Sequence, residues 1–174
     1  MWAELDERLA QVDPELAWEI GPADGDRLFL AISPDLIDEL LPRAQVLLDD
    51  AYASELWDFR LGRQRRPWSD VLEMAQGMDA PGQQVMDLAS WTHLLFRGDE
   101  EGQFDVVLAA QSPLSLSEDD QDELAAIVVT GLLGELCVMQ RVGSIELIEQ
   151  FEPRQAAKAK PAAWLPYAFG MKPL

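Results

Sequence analysis

The single histidine and the single cysteine of this 174-residue chain, His93 and Cys137, are the first places to look for acid–base or nucleophilic chemistry. A histidine base needs an oriented partner and a nucleophile within reach. His93 sits in Ser90-Trp91-Thr92-His93, inside a predicted strand, where alternation sends Ser90 and Thr92 to the opposite face. A structural histidine is the better reading. A reactive thiolate needs a helix N-terminus or neighbouring cations. Cys137 lies in Leu136-Cys137-Val138-Met139, towards the end of a predicted apolar helix, and reads as a small buried hydrophobe.

Carboxylates are the abundant reactive group, in the runs Asp49-Asp50, Asp99-Glu100-Glu101 and Glu118-Asp119-Asp120 with Asp122. None has the spacing of a calcium loop or of a His–Glu zinc motif. The first run follows a predicted helix, the second is a turn and the third decorates a helix start, so all three read as solvated faces. Glu135 follows two glycines in Gly131-Leu132-Leu133-Gly134 and reads as a helix-surface residue. Each glycine costs a helix about 1 kcal/mol relative to alanine, which points to close packing of this helix against a sheet. Arg60, Arg63, Arg65 and Arg66, flanked by Trp57 and Trp68, form the one basic cluster. Arginine beside aromatics can stack on single-stranded nucleic acid, but the charge of the whole chain opposes that. Pairing with the protein's own acids, or an anion or partner contact, fits better. There is no phosphate-cradling glycine loop, dinucleotide fingerprint or nucleophile elbow. The expectation is therefore no catalytic residue, no cofactor and no metal.

Thirty-two acids against thirteen Lys plus Arg give a formal charge of −19. Such a charge repels nucleic acid and anionic membrane surfaces and favours basic partners. Residues 153–174 run against it, with Arg154, Lys158, Lys160 and Lys172 and no acid. A basic tail on an acidic body suggests that the tail lies back on that body. A 48% hydrophobic content argues against disorder despite the charge. One cysteine fits a reducing compartment, the first residues lack the basic and apolar regions of a signal peptide, and no apolar run is long enough to span a bilayer. The cytoplasm is the expected location.

The elements that would position these residues follow from periodicity. Trp2 to Val12 reads as an amphipathic helix stopped by Asp13-Pro14, and Leu16–Ile20 and Leu28–Ile32 as a hairpin around the turn cluster 21–26. Ser33-Pro34-Asp35 has the form of a helix start. Leu36, Ile37, Leu40, Leu41, Ala44, Leu47, Leu48 and Ala51 supply its apolar face, kinked or restarted at Pro42. Leu56–Leu61 is a third strand. The order recurs with Val85–Phe96, a turn at 97–103, Phe104–Ala110, a capped helix after Ser117 with its stripe Leu124, Ile127, Val128, Leu132 and Leu136, a stop at Gly143, and a strand over Ser144–Phe151. Trp68–Met78 would be a connecting helix and Asp79–Gly82 the loop between the halves. The predicted class is α+β: duplicated ββαβ units of ferredoxin-like type, at about 14–66 and 84–152, forming an antiparallel or mixed sheet with helices on one face. Residues 1–154 would be a single domain. Residues 155–174 would be a tail docking through Trp164, Tyr167 and Phe169 on the body or on a second subunit.

The segments Leu16-Ala17-Trp18-Glu19-Ile20-Gly21-Pro22, Leu30-Ala31-Ile32-Ser33, Leu41-Pro42, Trp57 and Leu132-Leu133-Gly134-Glu135 resemble a pattern in small acidic bacterial α+β proteins of unknown function. These are similar to immunity proteins of bacterial toxin systems and to acidic ribonuclease regulators with ferredoxin-like folds. The resemblance implies a protein-binding role and carries over no functional residue. The reading favoured is a cytoplasmic, non-enzymatic protein that neutralises or regulates a basic protein partner such as a toxin or nuclease. Asp99, Glu100, Glu101, Glu118, Asp119, Asp120 and Asp122 are the contact candidates; nucleic acid and membrane are not expected partners, and a homodimer is left open. The alternatives are a self-assembling structural or regulatory domain and, less favoured, an enzyme using carboxylates alone.

Overall fold

A computed structural model describes residues 2–51, 53–76, 87–113, 116–172 and 174. The chain is α+β and forms two compact units, residues 1–64 and 65–174. Each has its own mixed sheet, of three and four strands, so the strands do not join in the one shared sheet that the sequence suggested. No helix among the described residues is long and apolar enough to cross a membrane.

The first unit begins with α1 (Trp2–Val12), whose Leu5 and Leu9, four residues apart, share one face. Strands β1 (Ala17–Pro22) and β2 (Leu28–Ser33) form the antiparallel hairpin. The predicted helix at Ser33-Pro34-Asp35 is absent. Ser33 Oγ does accept a hydrogen bond from the Asp35 amide at 3.0 Å, but Asp35 and Leu36 have φ of 52° and 62°. Left-handed residues cannot continue a right-handed helix, so the hydroxyl closes a turn. A 3-10 turn at Asp38–Leu40 leads into α2 (Leu41–Asp49) with Pro42 in its first turn, the restart alternative. Strand β3 (Trp57–Leu61) then lies parallel to β2. Leu9, Leu16, Ile32, Leu40 and Ala44 form the core, with Trp18, Leu30 and Leu61 packed against it from the sheet. On the other sheet face the Phe29 ring covers Gly21, its partner across the hairpin. A Cβ there would come within 2.4 Å of the ring, so the position requires glycine. Asp13, buried at the α1–β1 corner, accepts from the Glu15 amide and pairs with Arg43 of α2.

The second unit opens with α3 (Trp68–Gln76); the rest of the predicted helix, Gly77 and Met78, and the loop Asp79–Gly82 lie outside the described residues. The long strand predicted from Val85 is shorter. Val85 and Met86 are outside the described residues, Leu88–Ser90 is a 3-10 turn, and β4 runs Thr92–Arg97. It pairs antiparallel with β5 (Phe104–Ala109). Helix α4 (Glu118–Leu133) follows, then α5 (Glu135–Arg141) and β6 (Val142–Ile148), which lies parallel to β5. Gly134, at φ 80°, separates α4 from α5, which the stripe alone had merged into one helix. Gly143 is part of β6 and does not stop the helix; the strand starts directly at Val142. The tail contributes α6 (Pro153–Ala156), the two-residue strand β7 (Lys160–Pro161) and α7 (Leu165–Ala168). The sheet order is β6-β5-β4-β7.

The last three turns of α4 are buried nearly all round, through Leu124, Ala125, Val128, Val129, Leu132 and Leu133. Close packing at Gly131 is against helix α3: a Cβ there would meet Val71 Cγ2 at 2.9 Å. Val71 is itself buried and β-branched, so it has little room to move. One cost stands inside this helix. Thr130 Oγ1 is buried with no hydrogen-bond partner among the described residues. Replacing such a hydroxyl by a methyl removes an uncompensated desolvation penalty. Thr130→Val should therefore raise the unfolding free energy in urea by about 1 kcal/mol; an equal or larger loss would show that the hydroxyl is satisfied.

Candidate functional site

The seven acidic contact candidates all lie in the second unit, on two elements. Asp99, Glu100 and Glu101 form the exposed turn between β4 and β5, completed by Gly102 at φ 90°. Glu118, Asp119, Asp120 and Asp122 are exposed on the first turns of α4, where the helix dipole favours acids. Ser117 caps this helix, accepting from the Asp120 amide at 3.2 Å and donating to Asp120 Oδ2 at 2.6 Å. Asp99, Glu100, Glu101, Glu118, Asp119 and Asp122 form no ion pair with a described residue. The two runs are not brought together. The turn precedes β5 and α4 follows it, so they sit at opposite ends of a six-residue strand, roughly 20 Å long.

The arginine cluster is divided. Arg60 donates to Asp58 and stacks 4.6 Å over the Phe29 ring, and Arg63 donates to Asp35 at 2.6 Å. With Arg8, Arg27 and Arg43, every arginine of residues 1–64 is ion-paired within that unit. Arg65 instead donates from Nε to the Leu132 carbonyl at 3.0 Å and from Nη2 to the Lys172 carbonyl at 2.8 Å. It thereby satisfies an orphan carbonyl at the C-terminal end of α4 and holds the tail beside it.

The tail is fixed to its own unit. Lys160 and Pro161 pair with His93 and Thr92, and the Ala162 amide donates to the Trp91 carbonyl at 2.8 Å. Ala162, Leu165, Pro166 and Phe169 are buried, a spacing of three, four and seven that puts them on one side of a helical turn. The Phe169 ring meets Phe104 edge-on at 5.8 Å, lies 5.0 Å from the Arg141 guanidinium, and its carbonyl accepts from Arg141 Nη1 at 3.1 Å. Trp164 and Tyr167, expected to dock with it, point the other way and are each 55% exposed. They fall three residues apart on the outward side of the turn, ring edge to ring face at 6.3 Å. Together with Arg65, Arg66, Trp68, Leu132, Ala163, Pro166 and Leu174 they line an open recess of about 210 Å³. Exposure of apolar rings beside two arginines is a combination that the linear spacing of the chain did not reveal.

His93 is buried in β4, and its Nδ1 lies 3.0 Å from the Pro161 carbonyl. A carbonyl only accepts, so the neutral ring carries its hydrogen on Nδ1. Burial pushes the ring's pKa below the usual 6.5, and bonds to the Pro161 and Lys160 backbone partly oppose that. The ring latches the tail strand onto the sheet. Cys137 is half-buried, and burial raises its pKa despite the nearby positive charges of Arg141 and Arg65; that keeps the thiol protonated and weakly nucleophilic at neutral pH. Glu135 is fully buried at the start of α5, against the surface position expected of it. The Gly134 break turns the chain so that the first residue of α5 faces inward. Among the described residues no three His, Cys, Asp or Glu side chains converge as a metal site requires.

No family model matches the chain, and comparison with curated proteins and with solved structures finds no match.

Two outcomes follow. Because His93 titrates lower in the folded chain than in the unfolded one, the unfolded chain binds the extra proton between that lowered value and 6.5. The His93 contribution is complete above pH 6.5 and declines as pH falls through that window. Thermal melts of His93→Gln should lose that part of the pH slope; an unchanged slope would mean that burial in the fold does not hold the His93 pKa down. Phe169→Ala should cost about 3–5 kcal/mol, whereas Trp164→Ala and Tyr167→Ala should stay within about 0.5 kcal/mol. Chemical denaturation checks the contrast, and equal losses at all three positions would contradict the burial pattern.

Proposed function

We propose that this is a non-enzymatic, cytoplasmic binding protein that neutralises or regulates a basic protein partner, such as a toxin or nuclease. One observation carries the reading: the arginines of residues 1–64, with Arg65 and Arg141, are bonded within the fold, while Asp99, Glu100, Glu101, Glu118, Asp119 and Asp122 stand exposed with no ion pair among the described residues. Exposed like charges concentrated on two elements speed encounter with an oppositely charged surface and suppress wrong partners. A standard interface of about 800 Å² per partner is wide enough to reach across roughly 20 Å, so one partner can touch both runs. The lowered basicity of buried His93 and the protonated thiol of Cys137 favour binding over catalysis. The motif-level similarity to immunity proteins points the same way. In both units a hairpin is followed by a helix and by a third strand parallel to the second. That shared order supports a duplicated ββαβ unit of ferredoxin-like type. A second reading, self-assembly through the tail, is favoured by the exposure of Trp164 and Tyr167. It predicts a mass that rises with concentration.

A partner captured from the native cell should be basic, and its association should slow as ionic strength rises from about 0.05 to 0.5 M, which shortens the Debye length from roughly 14 to 4 Å. Asp99→Asn, Glu100→Gln and Glu101→Gln together, or the corresponding neutral set at 118, 119 and 122, should lower the association rate more than they raise the dissociation rate. A partner that binds at the same rate in both salts and to both variants would remove electrostatic steering as the mechanism.

A further inference from the structure

The recess beside the tail has a chemistry opposite to that of the rest of the surface. Arg65 and Arg66 stand at it in a chain of formal charge −19, next to the rings of Trp68, Trp164 and Tyr167 and the side chain of Leu132. The Arg65 guanidinium is held on two backbone carbonyls through Nε and Nη2, which fixes its plane and leaves Nη1 uncommitted by those bonds. Arginine's planar fork matches a carboxylate or phosphate, and its face and those of Trp and Tyr accept a flat ring. Trp164 and Tyr167 are directed outward by the same turn that buries Leu165 and Phe169, so nothing in the packing of the tail requires aromatic side chains at those two positions. A recess of about 210 Å³ admits one small molecule or the head of a larger one.

We infer that this recess binds a small planar anion: an aromatic or heteroaromatic ring bearing a single carboxylate or phosphate group. The ring lies against Trp164 and Tyr167, and the anionic group meets the arginines through charge-assisted hydrogen bonds. The net negative charge of the chain sets the selectivity. A purely ionic ligand is repelled by the body of the protein, whereas a ring bearing one anionic group gains apolar contact as well as the local attraction. The site is independent of the acidic contact surface, so it stands or falls apart from the proposed partner.

Calorimetric titration of the full chain with indole-3-acetate and with adenosine monophosphate tests the two anionic groups, with indole, acetate, adenosine and inorganic phosphate as the matched halves. At least one of the two charged-ring probes should bind saturably, with a dissociation constant about tenfold or more below that of either of its halves. Trp164→Ala and Arg66→Gln should each weaken that binding about tenfold or more, with the melting temperature showing that the variants remain folded. A preference for indole-3-acetate or for adenosine monophosphate identifies the anionic group. The inference is overturned if neither charged probe saturates at millimolar concentration, if the neutral rings bind equally well, or if the two variants bind as the parent does. A concentration-dependent mass abolished by Trp164→Ala would likewise overturn it, because the rings would then be an interface between copies.

Discussion

The parallel placement of a third strand beside the second strand of a hairpin is the constraint on which both units depend. Parallel neighbours cannot be joined by a tight turn; the chain must travel back along the sheet, and a helix is the usual vehicle. In residues 1–64 that vehicle is α2, and its Leu40–Ala44 side meets Ile32 beneath it. In residues 65–174 it is α4 with α5, a longer crossover that is apolar on more than one side. A helix buried nearly all round needs cover beyond the sheet. Helix α3, pressed against Gly131, and α7 of the tail supply it. The close helix contact, the arginine bonded to the end of α4 and the docking of the tail are all consequences of that one strand order.

Those consequences shape the surface. Helix ends leave carbonyls without partners, and guanidinium groups are well suited to them. Arg65 and Arg141 bond to carbonyls of α4 and the tail instead of balancing carboxylates, while the arginines of the first unit are used on Asp13, Asp35, Asp58 and Glu4. The exposed acids at the β4–β5 turn and the start of α4 have no ion pair with a described residue and face water.

Much of this was legible in the chain. Apolar periodicity located α1, β1, β2, β3, β5 and α4, and Ser117 followed by acids marked the start of α4 as the structure has it. What failed has a physical pattern. Ser33-Pro34-Asp35 carries the composition of a helix start, but composition does not report φ, and the left-handed Asp35 and Leu36 turn the same hydrogen bond into a loop closure. The sequence reads Gly134 as a packing glycine inside one helix and Gly143 as the stop that ends it, and the structure reverses both readings. One separates two helices at positive φ, whereas the other sits in a strand where a Cβ would meet Asp105 Oδ1 at 3.0 Å. Trp164 and Tyr167 were expected to bury because large rings usually do. Over a single turn the helical phase decides, and it favours Leu165 and Phe169. The recess was illegible for a different reason: Arg65 and Trp164 are far apart in sequence, and only tertiary structure joins them.

The bond from Arg65 to the Lys172 carbonyl spans 107 residues, and that from His93 to Pro161 spans 68. Such separations place the two units on different schedules during synthesis. Residues 1–64 contain every strand of their own sheet, so that strand order does not wait for any later residue. The second unit cannot complete its four-strand order until residues 160 and 161 have been made, nor settle Arg65 until Lys172 has. Loop-closure entropy delays such long-range pairings. For that interval the apolar side of α4 that α7 covers stands in water, the condition in which a nascent chain depends most on chaperones and on speed.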